Sequence, residues 1–452
     1  MTYLCPSGWF SRGVMGSAIA ALALVGTLPP LTAPAAAIES DIAGDSFEES
    51  HKAVLDEAWQ IVNREYVDAA FNQVDWTAAR QRLLGQDYSS REAAYAALRQ
   101  ELDSLQDPYT RFLDPQQYAD LTDQTSGEVS GVGLQLRRDN SARSILVVDV
   151  TPGSPADDAG LRTGDRIMLV DGQSTERLTA TGVSRLLRGA ENTQVTVTYS
   201  RNNGQPQTVI LTRAVLELPT VTYALRAIGN YRIGYIRLIE FNAHATEQME
   251  AAIQSLADAG VDAFVLDLRG NPGGLLSASI EISRMWLQRG PIVLTQNRSG
   301  ESEKISANRT ALTDLPLAVL VNDRSASSSE ILTGALQDND RAVVVGTTTY
   351  GKALVQSLYG LSDGSGITVT VAHYYTPDGT DISRRGITPD IEIDLSRSDQ
   401  QTLFDDPRLL GTEADPQFWR AFTALEPTIL AQRQSVDSPQ QLGRTPEEDT
   451  AP

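Results

Sequence analysis

From Tyr231 onward the chain alternates short apolar runs with amphipathic stretches, and this limits the folds open to it more than any other feature. "VDAFVLDL" and "LPLAVLV" have the length and branching of strands buried on both faces. "ATEQMEAAIQSLADAG" sets Met249, Ala252, Ile253 and Leu256 on one face of a helix. "YRIGYIRL", "PIVLTQ", "RAVVVGTTT", "ALVQSLYG" and "GITVTVAHYYT" read as further strands, and "LLSASIEISRMWL" and "SSEILTGALQD" as helices. Strands alternating with helices predict an α/β layer fold over residues 215–397.

Two other textures precede this core, as a chain of 452 residues, too long for one ordinary domain, leads one to expect. Residues 38–126 read as a helical domain. "HKAVLDEAWQIVNREYV" spaces Val54, Leu55, Ala58, Ile61 and Val62 by three and four, "REAAYAALRQELDSL" repeats the pattern, and the two prolines of "DPYTRFLDP" end it. Residues 127–214 turn to strands and tight turns. In "GEVSGVGLQLRR" a glycine turn runs into a strand and leaves the amides of Gly131, Val132, Gly133 and Leu134 facing outward, a nest for a terminal carboxylate beside a strand edge open to an added peptide. After residue 397 the texture becomes polar, and 398–452 reads as a C-terminal tail.

The N-terminus reads as a targeting segment. Arg12 precedes the apolar "VMGSAIAALALVGTL" and then "PPLTAPAAA", a signal peptide ending at Ala37 and implying export. Cys5, the one cysteine, lies within it, so the exported chain cannot form an internal disulfide. The net charge of −21 carries no basic block, which argues against nucleic-acid binding. His51, His244 and His373 are far apart in sequence, so neither a metal site nor a cofactor is expected.

The candidate chemistry lies in "NDRSASSSEILTGALQDND". Ser327-x-x-Glu330 has the spacing of a helix capping box, and spacing alone favours that role. One cap needs one serine, however, and Ser325, Ser327, Ser328 and Ser329 crowd the same turn. A tight turn from a buried strand into a helix is also where nucleophiles of α/β hydrolases sit, with the following amide, here Ser328, able to bind an oxyanion. A second turn, "DLRGNPGG", ends another buried strand, and Gly273 or Gly274 would allow close backbone approach to a bound carbonyl. The Walker pattern for phosphate is absent. For a base, His373 reads as packed in a strand among aromatics, His244 lies at a helix start and His51 in the remote helical domain. Lys352, between a glycine turn and a strand, would serve only if desolvation lowered its pKa far below the free value of about 10.4.

The segment "NDRSASSSEILTGALQDNDRAVVVGTTTYGKALVQ" resembles the signature of the carboxyl-terminal processing proteases, serine peptidases with a Ser–Lys pair. The resemblance implies Ser327 as nucleophile, Lys352 as general base, Gln356 as a third catalytic residue, and Gly273 with the Ser328 amide as oxyanion donors. Alternation along a strand would bring residues 352, 354 and 356 onto one face. The match extends to "DLRGNPGG", to "LQDPYTRFLDPQQY" and, in "SPADDAGLRTGDRIMLVDG", to a PDZ domain. It implies an α/β protease core of crotonase or ClpP-like layers with an inserted PDZ domain and an N-terminal helical domain. Asp338 matches an aspartate some members treat as catalytic; eleven residues of helix place it about 16 Å from Ser327, so it reads instead as a helix-end residue supporting the return strand.

The implied activity is endopeptidase cleavage near the C-terminus of exported or membrane proteins, with the PDZ domain holding the substrate's C-terminal tail. "EAWQIVNREYVDAAFNQVDWTAARQRLL" most resembles the photosynthetic branch, which implies the thylakoid lumen or periplasm and processing of the photosystem II reaction-centre precursor. The rival readings are a PDZ adaptor or chaperone with an inactive core, and a Ser–His enzyme using His373.

Overall fold

Largely apolar strands form the centre of the molecule in a computed structural model that describes residues 45–139 and 142–437. The predicted signal segment and residues 438–452 lie outside the described residues. Tyr231–Leu238, Ala263–Asp267, Leu317–Val321 and Val343–Gly346 lie side by side in parallel. Val221–Ile228 adds an antiparallel edge and Ile391–Glu392 the opposite, parallel one. Successive side chains of a strand point to opposite faces, so a sheet with two apolar faces needs cover on both. On one face Phe264, Leu266 and Val319 pack against Met249, Ile253, Trp286, Leu332 and Leu336, from helices Ala245–Asp258, Leu276–Trp286 and Ser328–Asp338.

The other face corrects the reading of residues 398–452 as a polar tail. Phe418, Ala421, Phe422, Leu425 and Ile429 of helix Pro416–Asp437 pack on Tyr235, Val265, Leu320 and Val345. Their three- and four-residue spacings were visible in "FWRAFTALEPTIL", but the polar residues between them masked the stripe. Without this helix the second face of the parallel sheet would meet water.

The helical domain comprises helices Asp45–Glu65, Trp76–Gly85 and Arg91–Asp103, and it does not stop at "DPYTRFLDP". Arg111–Leu113 is a strand paired antiparallel with Gly366–Tyr375 of the protease core. Pro115 opens helix Pro115–Ser126, with Asp114 and Gln117 as its capping box, because proline lacks only an N–H that the first turn leaves unpaired anyway. Ile367 and Val369 of the long strand share one apolar cluster with Leu55, Trp59, Val62, Leu98 and Phe112. Helical domain and core are thus packed as one body at this seam. Gly366–Tyr375 also pairs with Pro291–Asn297 and with Leu354–Gly360, and Ser302–Ser306 completes that second sheet.

The PDZ unit hangs from a two-stranded neck, Glu128–Gly131 against Ala214–Glu217. Its own antiparallel sheet begins at the edge strand Leu134–Asp139, followed by Ser144–Val150, Arg166–Val170, Gln194–Ser200 and Gln207–Thr212. Val183 and Leu187 of helix Ala180–Leu187 join Val132, Ile145, Val147 and Val197 in a separate small core.

Candidate active site

Both chemistry-bearing turns open at the carboxyl ends of adjacent parallel strands, Ala263–Asp267 and Leu317–Val321, where ligands of α/β sheets gather. The first turn is held by Asn271. Its amide donates to the Leu238 carbonyl at 3.0 Å, and its Oδ1 accepts the Gly273 N–H at 2.8 Å. Gly273 has φ of 103°, and a Cβ there would stand 2.9 Å from the Ser327 Cβ and 3.0 Å from the Ser328 nitrogen. Only glycine permits that approach. A Cβ at Gly274 would collide with the Phe241 carbonyl.

The serine cluster divides its labour. Ser325 Oγ donates to the Leu268 carbonyl at 2.8 Å, Ser328 Oγ to Gly274 at 2.9 Å and Ser329 Oγ to Asn271 at 3.0 Å. These three buried serines staple the two turns together. Ser327 differs in its backbone, φ 55° and ψ −114°, a conformation that costs a non-glycine residue energy and clusters at functional turns. Ser327 and Glu330 also stand in the expected capping-box arrangement, with the Ser327 N–H donating to Glu330 Oε2 at 2.9 Å.

Glu330 does far more than cap. It is entirely buried, and its carboxylate also accepts from Thr349 Oγ1 and Gly351 N–H, each at 2.6 Å, and from the Lys352 N–H at 2.9 Å. Burial pushes its pKa up, against the pull of these hydrogen bonds. The amides of Ser327 and Lys352 therefore donate to one oxygen of one carboxylate. Tyr374 reinforces the junction, its hydroxyl donating to the Ser327 carbonyl at 3.2 Å and also lying against the Lys352 carbonyl. Gly351, with φ of 86°, lets the lysine loop press against the amides of Arg384, Arg385 and Gly386.

Lys352 is held below the ordinary lysine range, first by burial and then by the Arg111 guanidinium, with Asp107 and Glu330 opposing. Gln356 does not follow the simple alternation expected from its spacing. A bulge between Val355 and Gln356 interrupts the strand, and the Gln356 amide reaches the Thr370 hydroxyl at 3.5 Å. The two amides expected as oxyanion donors also differ. The Ser328 amide sits in the first helical turn, which offers no intrahelical acceptor, whereas the Gly273 amide is already bonded to Asn271.

The three histidines occupy different surroundings. His373, expected to be packed, is exposed, and its strand position lies opposite Leu354 and Gln296. His244 faces Glu128 of the PDZ neck at 3.2 Å, and His51 lines a cavity of the helical domain. Asp338 closes the helix Ser328–Asp338 and accepts the Asp378 N–H at 3.1 Å, just beyond the return strand. Among the described residues, no group of histidines, cysteines and carboxylates is arranged to hold a metal ion.

Sequence reasoning missed Thr349 and the support behind the first turn. Arg269 is buried between Asp267 and Asp415, with Gln417 and, through Asp267, the Tyr235 hydroxyl completing the set. The motif revealed Asp267 and Arg269; nothing local marked Asp415, which is 146 residues away from Arg269. In the PDZ unit, Gly131, Val132, Gly133 and Leu134 line a groove of about 150 Å³ with Leu187, Leu216 and Pro219. Gly133 has φ of 84° at the turn into the edge strand.

Comparison with known proteins gives two family matches. Residues 232–393 match the model of peptidase family S41, and residues 146–201 that of the PDZ domain. The carboxyl-terminal-processing protease of Synechocystis sp. is 44% identical over 347 residues, covering 76% of this chain and 81% of that protein. The chloroplastic C-terminal processing peptidase of Tetradesmus obliquus is 38% identical, covering 82% and 83%. The solved structure of a photosystem II D1 C-terminal processing protease is 37% identical with a TM-score of 0.52, covering 82% of this chain and 99% of that one. The chain belongs to the S41 peptidases, as a serine-type carboxyl-terminal-processing protease with a PDZ domain.

Proposed function

We propose that Ser327 is the nucleophile and Lys352 its general base. One observation carries this reading: a single buried carboxylate, Glu330, accepts the amides of both residues, so that turn and loop are fixed to each other. The Lys352 Nζ lone pair takes the proton from Ser327 Oγ as Oγ bonds to the scissile carbonyl carbon. The carbonyl oxygen becomes an oxyanion beside the Ser328 amide, with Gly273 joining once its N–H leaves Asn271. The ammonium then returns its proton to the leaving nitrogen as the C–N bond breaks. Water enters by the same path to release the acyl group. Gln356 supports the strand that carries the lysine loop.

The substrate is the C-terminal extension of the photosystem II D1 precursor, cleaved after its free carboxylate docks at the amides of Gly131 to Leu134. The name of the solved relative and the edge strand beside that glycine turn support this. Export to the thylakoid lumen or periplasm follows from the segment ending at Ala37, and among the described residues no helix is long and apolar enough to cross a membrane. Incubating the enzyme with the extended precursor tail and identifying products by mass spectrometry tests the substrate. A tail left intact by wild type, while other free-acid peptides are cut, would remove the D1 assignment. N-terminal sequencing of the native protein should begin within a couple of residues of Ile38; a start at Met1 overturns export.

A further inference from the structure

The Tyr109 ring lies over the Lys352 ammonium, and it comes from the helical domain rather than from the protease core. Nζ lies 4.6 Å from the ring centroid. The tyrosine is fixed on both sides. Its N–H donates to Asp107 Oδ1 at 2.9 Å, and its carbonyl accepts from the Thr368 hydroxyl of the core at 2.8 Å. Thr110, the next residue, accepts the Thr370 N–H at 3.0 Å, and the strand pairing from Arg111 follows immediately. Nothing in "DPYT" by itself indicates this placement; the seam between domain and core creates it.

We propose that Tyr109 is a positioning residue for Lys352, presenting its ring face to the cation that forms when Nζ takes the Ser327 proton. The proposal rests on Lys352 being the base. A neutral lysine in a partly buried site must become an ammonium during attack, and a ring face stabilises that charge where hydration is reduced. A carboxylate in contact with Nζ would favour the ammonium so strongly that the lysine could not start neutral. A ring face favours the cation by a smaller amount and accepts no proton. The other groups around Lys352 are Asp107 and Arg111 from the helical domain, Glu330 from the nucleophile helix, Tyr374 from the long strand and Tyr350 from its own loop. The Tyr109 phenol, its pKa pushed up to about 12 by burial and by Tyr350, does not ionise in the working range.

Tyr109→Leu keeps an apolar cover but removes the quadrupole, so the ammonium loses its stabiliser. The kcat should fall about 5- to 30-fold, and the acidic limb of kcat/KM should move to lower pH by about 0.5–1 unit. Tyr109→Phe keeps the ring face and should stay within about twofold of wild type. Should the leucine variant not fold, phenylalanines bearing successive ring fluorines keep the shape while draining the face, and both quantities should fall stepwise. Lys352→Ala is measured in parallel. If it is inactive while the leucine variant and the fluorinated series behave as wild type, the Tyr109 role is wrong and the base stands. If Lys352→Ala retains wild-type turnover, both fall. Equal loss in Tyr109→Phe and Tyr109→Leu would overturn the ring-face role in favour of the hydroxyl.

Discussion

Two glycine-rich turns carry the backbone amides proposed to meet the substrate, and they are built differently. The turn at Asn271–Gly274 is clamped by Ser328, Ser329 and Asn271 within the core and backed by the buried Asp267–Arg269–Asp415 network. The turn at Gly131–Leu134 sits on an edge strand of a small separate sheet, joined to the rest by a two-stranded neck. The difference fits the two roles proposed for them. Stabilising an oxyanion requires donors held within a fraction of an ångström before the charge appears, so every support is buried and hydrogen-bonded. Capturing a chain terminus needs a charge-complementary nest and a free strand edge, and tolerates a mobile mount.

The largest effects should come from the serine turn stapled to that rigid turn and from the lysine loop joined to it through Glu330. Ser327→Ala and Lys352→Arg should each lower kcat by about 10³-fold or more, and the double variant should be no worse than either, because the pair acts as one unit. Arginine keeps its proton throughout the working pH range, so near-normal turnover in Lys352→Arg would end the Ser–Lys mechanism. In the wild type, activity should rise with pH as Lys352 loses its proton, since the base works only when neutral. The depressed pKa puts that limb below the ordinary lysine range, and it should persist in His373→Ala. A limb abolished by His373→Ala would revive the Ser–His reading.

Glu330→Gln comes next. A glutamine can present one oxygen to two of the four donors and turns its own NH₂ toward the other two. Leaving those buried groups unsatisfied should cost about 2–4 kcal/mol in denaturant unfolding, together with a kcat loss that a stability defect at 25 °C would not produce. A fully stable and active variant would show that the shared carboxylate is dispensable to the junction.

The PDZ turn should respond more gently. Amidating the C-terminus of a tail substrate removes the charge its amides would bind and should lower kcat/KM about tenfold, with the effect in KM more than in kcat. Equal cleavage of acid and amide would break the contrast between the turns. The smallest effect belongs to Asp338→Asn. Its side chain serves the Asp378 amide at the far end of the helix, and asparagine can still accept that bond. Activity should stay within about threefold; a 10³-fold loss would restore Asp338 as a catalytic candidate.

Much of this organisation can be read from local pattern. Period and branching located the parallel strands, because a strand buried on both faces must be nearly all apolar, as Leu317–Val321 and residues 263–266 are. Glycine at positions 273 and 274 followed from backbone approach, which no other residue type allows. Ser327 was marked by its place between a buried strand and a helix. The signal failed where a residue's role depends on a distant partner. Glu330 has the spacing of a cap, and only the fold brings Thr349, Gly351 and Lys352 to its carboxylate. Helix Pro416–Asp437 looked polar because its apolar stripe matters only once the sheet presents a second bare face. Local pattern thus settled most strands and helices of the core, since those choices depend on neighbours a few residues away, but not strand Arg111–Leu113, helix Pro115–Ser126 or helix Pro416–Asp437. Which carboxylate joins the Ser327 turn to the Lys352 loop, and which domain supplies the ring over Lys352, was decided by tertiary packing, because burial and partners are properties of the closed fold.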